Sequence, residues 1–487
     1  MISFTLALAL LVIGYFTYGT LVTKIFGQDP ERPTPVKTMA DGVDYVELKP
    51  WKIFLIQFLN IAGLGPIFGA IMGVMYGPAA FLWIVFGTIF AGAVHDYCSG
   101  MLSLREGGAS LPHIVGHELG PVVKALLGIF ALLLLVLLGA VFVYNPADLL
   151  AMLTPESFDR LFWVIVIFGY YIAATLLPVD KIIGKLYPLF GFALLFMAAG
   201  IMVMLYVHSA DVPEIWQNFY NHKPDPAATP IFPMMFISLA CGAISGFHAP
   251  QSPIMARCLP NEKYAKPVFY GAMVTEGIVA LVWAAAAVTF THGYSGLSDY
   301  LGGNSPAILV NDLSRSWLGT VGGILAILGV VVAPITSGDT ALRSARLIVA
   351  DYIHLPQKKI VNRLLISVPI FLVCFAIMLM PYDSMWRYFA WSNQVLSVFT
   401  LWTITVWLAR HRKAYVIALL PALFMTMVTT TYIFFAPEGL GIIADATFGL
   451  KISYGFSLAA GAAVSLLFLS LFLRLLRKGR KLKPLAD

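Results

Sequence analysis

Two apolar stretches carry polar side chains beside residues that break helices. In FLNIAGLGPIFGAIMG, Phe58 to Gly73, Asn60 stands next to Gly63, Gly65 and Pro66, with Gln57 just before them. In LACGAISGFHAPQSP, Leu239 to Pro253, Gly242 and Gly246 alternate with Ser245, His248, Gln251 and Ser252. Glycine inside a helix costs ~1 kcal/mol relative to alanine and proline ~3, so each stretch should interrupt the segment that holds it. Interrupted backbone offers N–H groups that favour anions and carbonyls that favour cations, provided it lines a cavity. These ten residues, Gln57, Asn60, Gly63, Gly65, Gly242, Ser245, Gly246, His248, Gln251 and Ser252, are therefore candidates for holding a small solute. The competing reading is close helix packing, which small residues also serve.

Ionisable groups in the apolar segments suggest a second kind of chemistry, because charge at a bilayer centre costs ~2.5–3.5 kcal/mol and commonly marks an ion path. Glu276 lies ~13 Å along its helix at ~1.5 Å per residue, with no basic residue in that segment. A carboxyl there can exchange a proton or simply pack in its neutral form. His95 and Asp96 are consecutive, about 100° apart on a helix, and need not face each other. Asp96 can accept a proton, hold a gate, or be satisfied by Arg105 or a neighbouring basic loop. His248 can meet a carboxylate or be structural. Asp339, closing PITSGD from Pro334, joins Glu276, Asp96 and His95 as an ion-coupling candidate.

The elements that position these residues follow from composition. Of 487 residues 59% are hydrophobic and 11% charged, and apolar runs of ~20 residues, enough to cross a ~30 Å hydrocarbon core, recur along the chain. This predicts an all-α, polytopic membrane protein of about thirteen spans: 2–26, 52–77, 79–104, 122–144, 161–179, 186–208, 231–255, 267–290, 317–340, 361–382, 386–409, 413–436 and 452–474. With alternating loops, 26 of the 31 basic residues fall on one side. The positive-inside rule then puts the amino terminus outside and the carboxyl terminus in the cytoplasm. The net charge of +6 needs no nucleic acid; the basic tail RLLRKGRKLKPLAD borders the lipid bilayer. The first span lacks a basic n-region and a cleavage site, so it reads as retained. Cys98, Cys241, Cys258 and Cys374 suggest neither disulfides nor a zinc site.

The broken second and seventh spans lie five apart and start on opposite sides. Spans two to six and seven to eleven thus form an inverted five-plus-five repeat, each half opening on a broken helix. The expected organisation is an extra helix and loop over 1–50, a core over 51–410 (51–208 and 231–410), and two further helices and the tail over 411–487. The Pro-rich first loop, DPERPTPVKTMADGVDYVELKP, reads as extended chain without chemistry of its own. SLPHIVGHELGP reads as an inner linker helix and NSPAILVNDLSRSW as an outer lid, unless both merely lie at the interface.

The stretch from Asn60 to Ser110, NIAGLGPIFGAIMGVMYGPAAFLWIVFGTIFAGAVHDYCSGMLSLREGGAS, resembles the signature region of the carbon starvation protein A (CstA) family. The resemblance continues through SGFHAPQSP and APITSGDTALRSARL, over about residues 50 to 350. It implies a secondary transporter for pyruvate or small peptides, with the LeuT-like fold of amino acid, polyamine and organocation transporters, in a bacterial inner membrane. In sodium-coupled relatives of that fold a Ser or Thr joins carbonyls of the first broken helix around Na⁺. Thr336 and Ser337 resemble that arrangement, although proton coupling fits the family better.

Import of a small carboxylate-bearing solute with H⁺, Na⁺ being the alternative ion, is the expectation, with no further cofactor. A nutrient sensor using the same bundle is the rival, and its usual output domain is not in the sequence. An enzyme would need a nucleophile and base or a metal motif, and none has convincing spacing. Composition and motifs leave the oligomeric state open.

Overall fold

A computed structural model describes residues 1–176, 183–208, 212–239, 241–303, 305–379, 382–437, 439–440 and 452–479. Lys181, Lys451 and most of the basic tail, which entered the charge count, lie outside the described residues, as does Asn304 at the start of the expected outer lid. Among the described residues every regular element is a helix.

The first span is α1, Ile2–Phe26. The second starts at Pro50, whose fixed φ and missing N–H suit a first helical turn. It forms α2 (Pro50–Ala62) and α3 (Gly65–Val74), which meet at 54°. Next come α4 (Ala79–Arg105), the short α5 (Leu111–Leu119), α6 (Pro121–Leu153), α7 (Arg160–Leu176) and α8 (Ile183–Val207). The seventh span is broken as expected: after α9 (Phe236–Ser238) the helix resumes only at α10 (His248–Ala256).

The rest is α11 (Glu262–Phe290), α12 (Tyr294–Gly303), α13 (Pro306–Ile327), α14 (Ala333–Ile353), α15 (Ile360–Ile377), α16 (Tyr382–Arg410), α17 (Val416–Phe435) and α18 (Tyr454–Gly479). Helix therefore falls in each of the thirteen expected intervals. Eight described helices are long and apolar enough to cross alone, or nine with α2 and α3 as one span. The remaining spans are short, like α7, or interrupted or polar, like the seventh and α16.

Two expectations change. PITSGD does not end the ninth span: Pro334 occupies the first turn of α14, which continues to Ile353. Its charges resemble a loop in sequence, yet Asp339, Arg343 and Arg346 are buried in the bundle. The first loop is not idle extended chain either, since it contains a helical turn, Pro35–Thr38, and buries Asp44.

Packing brings the halves together in exchanged pairs. Between the halves α4 packs on α10, and α11 on α2 and α3; within them α2 packs on α8, and α9 correspondingly on α16; α6 and α14, the third member of each half, pack on each other. This is the contact pattern of an inverted repeat, and it places both breaks at the centre.

Candidate functional site

The first break is set by Gly63, whose φ of 43° and ψ of −135° are a backbone that side chains resist. Gly65 and Pro66 then restart the helix. The breaks touch: a Cβ at Gly65 would stand 1.8 Å from the Cβ of Cys241. Gly242 and Gly246 are close-approach glycines too, facing Ala280 at 2.7 Å and the Asn393 carbonyl at 2.1 Å. Packing thus accounts for part of the glycine content, and the breaks remain.

Around them lie polar side chains that the protein leaves unsatisfied. Both amide atoms of Gln57 and of Asn60, in the last turns of α2, are fully buried and have no partner, as does Nε2 of Gln251 on α10. A buried polar atom without a partner costs about 1–3 kcal/mol, so this concentration is what a polar ligand would compensate. α14 joins the two broken helices there. Ser337 Oγ donates to the Leu59 carbonyl at 3.0 Å, and Thr340 Oγ1 to Gln251 Oε1 at 2.9 Å.

Not every candidate is available. Ser252 Oγ donates back to the His248 carbonyl at 3.0 Å, within its own helix. Ser245 exchanges hydrogen bonds with Asn393, whose Oδ1 also accepts from the Phe247 N–H at 2.8 Å. Gln394 Nε2 donates to the Ile244 carbonyl at 3.0 Å. Asn393 and Gln394 on α16 therefore hold the second break open. Sequence reading missed them, although SNQ within an apolar span was a signal.

His95, Asp96 and His248 form one hydrogen-bonded chain across α4 and α10, with the unpartnered carboxyl of Glu276 on α11 beside it, all four fully buried. Asp96 Oδ1 lies 2.7 Å from His95 Nδ1 and its Oδ2 lies 2.8 Å from His248 Nδ1. Helical phase does not require His95 and Asp96 to face each other; side-chain torsions, which that phase does not fix, bring them together. Arg105 does not neutralise Asp96; it pairs with Glu262 at 3.2 Å and donates to the Gly27 carbonyl. An ionised Asp96 only accepts, so both imidazoles must present Nδ1–H to it. In a neutral His248 this leaves Nε2 as an acceptor, 3.6 Å from Glu276 Oε2. A protonated Glu276 is the form with a donor for that nitrogen.

Asp339 takes no part in this chain. Its Oδ2 accepts from Tyr187 Oη at 2.6 Å, and Tyr187 lies 3.2 Å from Tyr170 Oη. Thr336 Oγ1 donates to the Ala333 carbonyl at 2.8 Å, the local capping bond, whereas Ser337 reaches the first broken helix. Among the described residues no three His, Cys, Asp or Glu side chains group as metal ligands.

Residues 1–156 and 147–316 match the family described as Carbon starvation protein CstA. An uncharacterized membrane protein of Haemophilus influenzae is 44% identical over 347 residues, 61% of this chain and 94% of that protein. The peptide transporter CstA of Bacillus subtilis is 27% identical over 341 residues, 58% of this chain and 57% of that protein. The pyruvate/proton symporter BtsT of Escherichia coli is 27% identical over 338 residues, 57% of this chain and 47% of that protein. The match thus spans about half the length of these two transporters.

Among solved structures, a mutant of the Eremococcus coleocola manganese transporter superposes with a TM-score of 0.52 at 16% identity, over 91% of this chain and 99% of that one. MhsT in complex with L-phenylalanine gives 0.52 at 15% identity, over 88% and 99%. This likeness establishes the LeuT-like fold.

Proposed function

The chain belongs to the carbon starvation protein CstA family, and from that premise we propose that it is a secondary active transporter importing a small carboxylate-bearing solute, pyruvate or a small peptide, together with protons. The observation that carries the reading is the contact between the two breaks, where the unpartnered Gln57 and Asn60 amides and the unpartnered Nε2 of Gln251 lie by the crossing of α2 and α10. The amide N–H groups and the backbone freed near Gly63 to Gly65 and Gly242 to Gly246 suit a carboxylate. The named relatives, a peptide transporter and a pyruvate/proton symporter, support the solute class.

Coupling runs through the buried chain. A proton on Glu276 passes to His248 Nε2, and the imidazolium so formed is held by Asp96 on its other nitrogen. That transfer changes the charge on α10, one of the two helices at the solute, so protonation and solute binding favour the same arrangement of the halves. The charge bias of the loops supports a multi-pass protein of the bacterial cytoplasmic membrane, amino terminus outside.

The test is uptake of labelled pyruvate and labelled dipeptides into proteoliposomes under an imposed pH gradient or, separately, a sodium gradient. Accumulation of one solute driven by the pH gradient alone is expected. Accumulation that needs sodium would transfer the coupling role to Ser337 and the Leu59 carbonyl. Binding without uptake of either solute would leave the sensor.

A further inference from the structure

The loop between α1 and α2 ends in a built turn. Asp41 Oδ1 accepts from the backbone N–H groups of Val43, Asp44 and Tyr45 at 2.8, 3.0 and 2.9 Å. The turn carries Asp44 into the bundle, where only 4% of it is exposed. There Oδ1 accepts from Arg343 Nη1 at 3.4 Å and from Arg346 Nη2 at 3.3 Å. Both arginines belong to α14, the helix that also brings Ser337 and Thr340 to the broken helices. Asp339, between them, is followed by Arg343 and Arg346 at i+4 and i+7, so one charged stripe runs along α14 from the solute region to the face that the charge bias makes cytoplasmic.

Arg257 and Arg363 are buried too, and their charges act on Asp44 together with those of Arg343 and Arg346. Asp41 and Asp351 remain partly exposed at the edge. Arg343 Nη2 donates to the Ala174 carbonyl at 2.5 Å, Arg346 Nη1 to Gln357 Oε1 at 3.1 Å and Arg257 Nε to the Gly108 carbonyl at 2.8 Å. Nε of Arg343, Arg346 and Arg363 and Nη1 of Arg363 are buried with no partner. Asp44's contacts exceed the ~2.7–2.9 Å of a close charge-assisted pair, so one carboxylate is shared loosely among more donors than it can satisfy. Burial alone would raise the pKa of Asp44, but Arg346, Arg343, Arg257 and Arg363 outweigh it and hold the carboxyl below its ordinary range. The guanidinium groups thus favour the anionic form of Asp44.

We propose that this arginine cluster is a second anion site, selective for small carboxylates, in which Asp44 takes the place of the carboxylate of a solute leaving the broken helices along α14. The identity of the occupant rests on the transport reading; the affinity for carboxylates does not. A departing solute displaces Asp44, uses the guanidinium N–H groups that Asp44 leaves unsatisfied, and passes to the cytoplasm as Asp44 returns. The planar fork of a guanidinium matches the two oxygens of a carboxylate, which favours carboxylates over spherical anions.

The test is chemical rescue of the full-length protein in detergent, read as the thermal unfolding midpoint. Acetate at millimolar concentration, against chloride at equal ionic strength, should raise the midpoint of Asp44→Asn by several degrees. It should change the wild type little and leave the double variant Asp44→Asn, Arg346→Gln unmoved. An absent response in Asp44→Asn, or an equal one in all three proteins, overturns the proposal. Should Asp44→Asn fail to fold in chloride, its folded yield on extraction in acetate against chloride at equal ionic strength decides instead. Acetate should raise that yield several-fold, and equal yields overturn the site. Rescue without pyruvate or dipeptide uptake in proteoliposomes would refute the transport reading alone; uptake without rescue would refute the second site alone.

Discussion

Glu276 was conspicuous in the sequence as an isolated carboxyl in an apolar segment, but its role depends on what faces it. The structure supplies His248 at 3.6 Å, itself held by Asp96 at 2.8 Å. Glu276→Gln keeps the size of the side chain and retains a donor toward His248 Nε2, while losing the exchangeable proton. Accumulation of the solute driven by a pH gradient is expected to fall by at least about tenfold, with gradient-free exchange of solute retained within about threefold. Proteoliposome uptake and counterflow measure the two, and unchanged accumulation would remove Glu276 from the coupling. At this scale the sequence named the acids and imidazoles and missed their geometry, because i and i+1 positions say little about where torsions send the side chains.

Helix breaks are the element-scale feature, and they were legible because glycine and proline act through the local backbone. Gly63 has the positive φ that only a glycine tolerates easily, and Gly65 allows the two breaks to touch. Their packing was not legible, since Gly65 and Cys241 are far apart in the chain. Gly65→Ala puts a methyl 1.8 Å from the Cys241 Cβ, an overlap that must push the breaks apart at a cost of about 1–3 kcal/mol. Solute affinity and uptake should both drop severely. Adding Cys241→Gly removes the opposing Cβ and leaves the nearest backbone atom, the Cys241 Cα, at 3.2 Å, so a substantial part of the uptake should return. No recovery in the double variant, with normal membrane insertion, would show that the contact is not what positions the site.

For the molecule as a whole, the charge count and the repeat predict one topology. A reporter fused after Asp487 should be reached by an impermeant reagent only in inverted vesicles, and one placed in the segment after α6, at Glu156, only in right-side-out vesicles. The opposite result would reverse the direction inferred for solute movement and place Asp44 and its arginines outside.

The sequence by itself determined the membrane environment, the number of helical intervals, the two breaks and their opposed orientation. Each of these is written in local composition or in its period along the chain. Only the tertiary structure decided that Asp96 bridges two histidines, that Asn393 braces the second break and that Asp44 meets Arg343 and Arg346. Apart from the neighbouring His95–Asp96 pair, those contacts join residues 146 to 302 positions apart, and no local pattern specifies which buried donor will meet which distant acceptor. That choice is made when the two halves pack, because a polar group in hydrocarbon must find a partner within the protein.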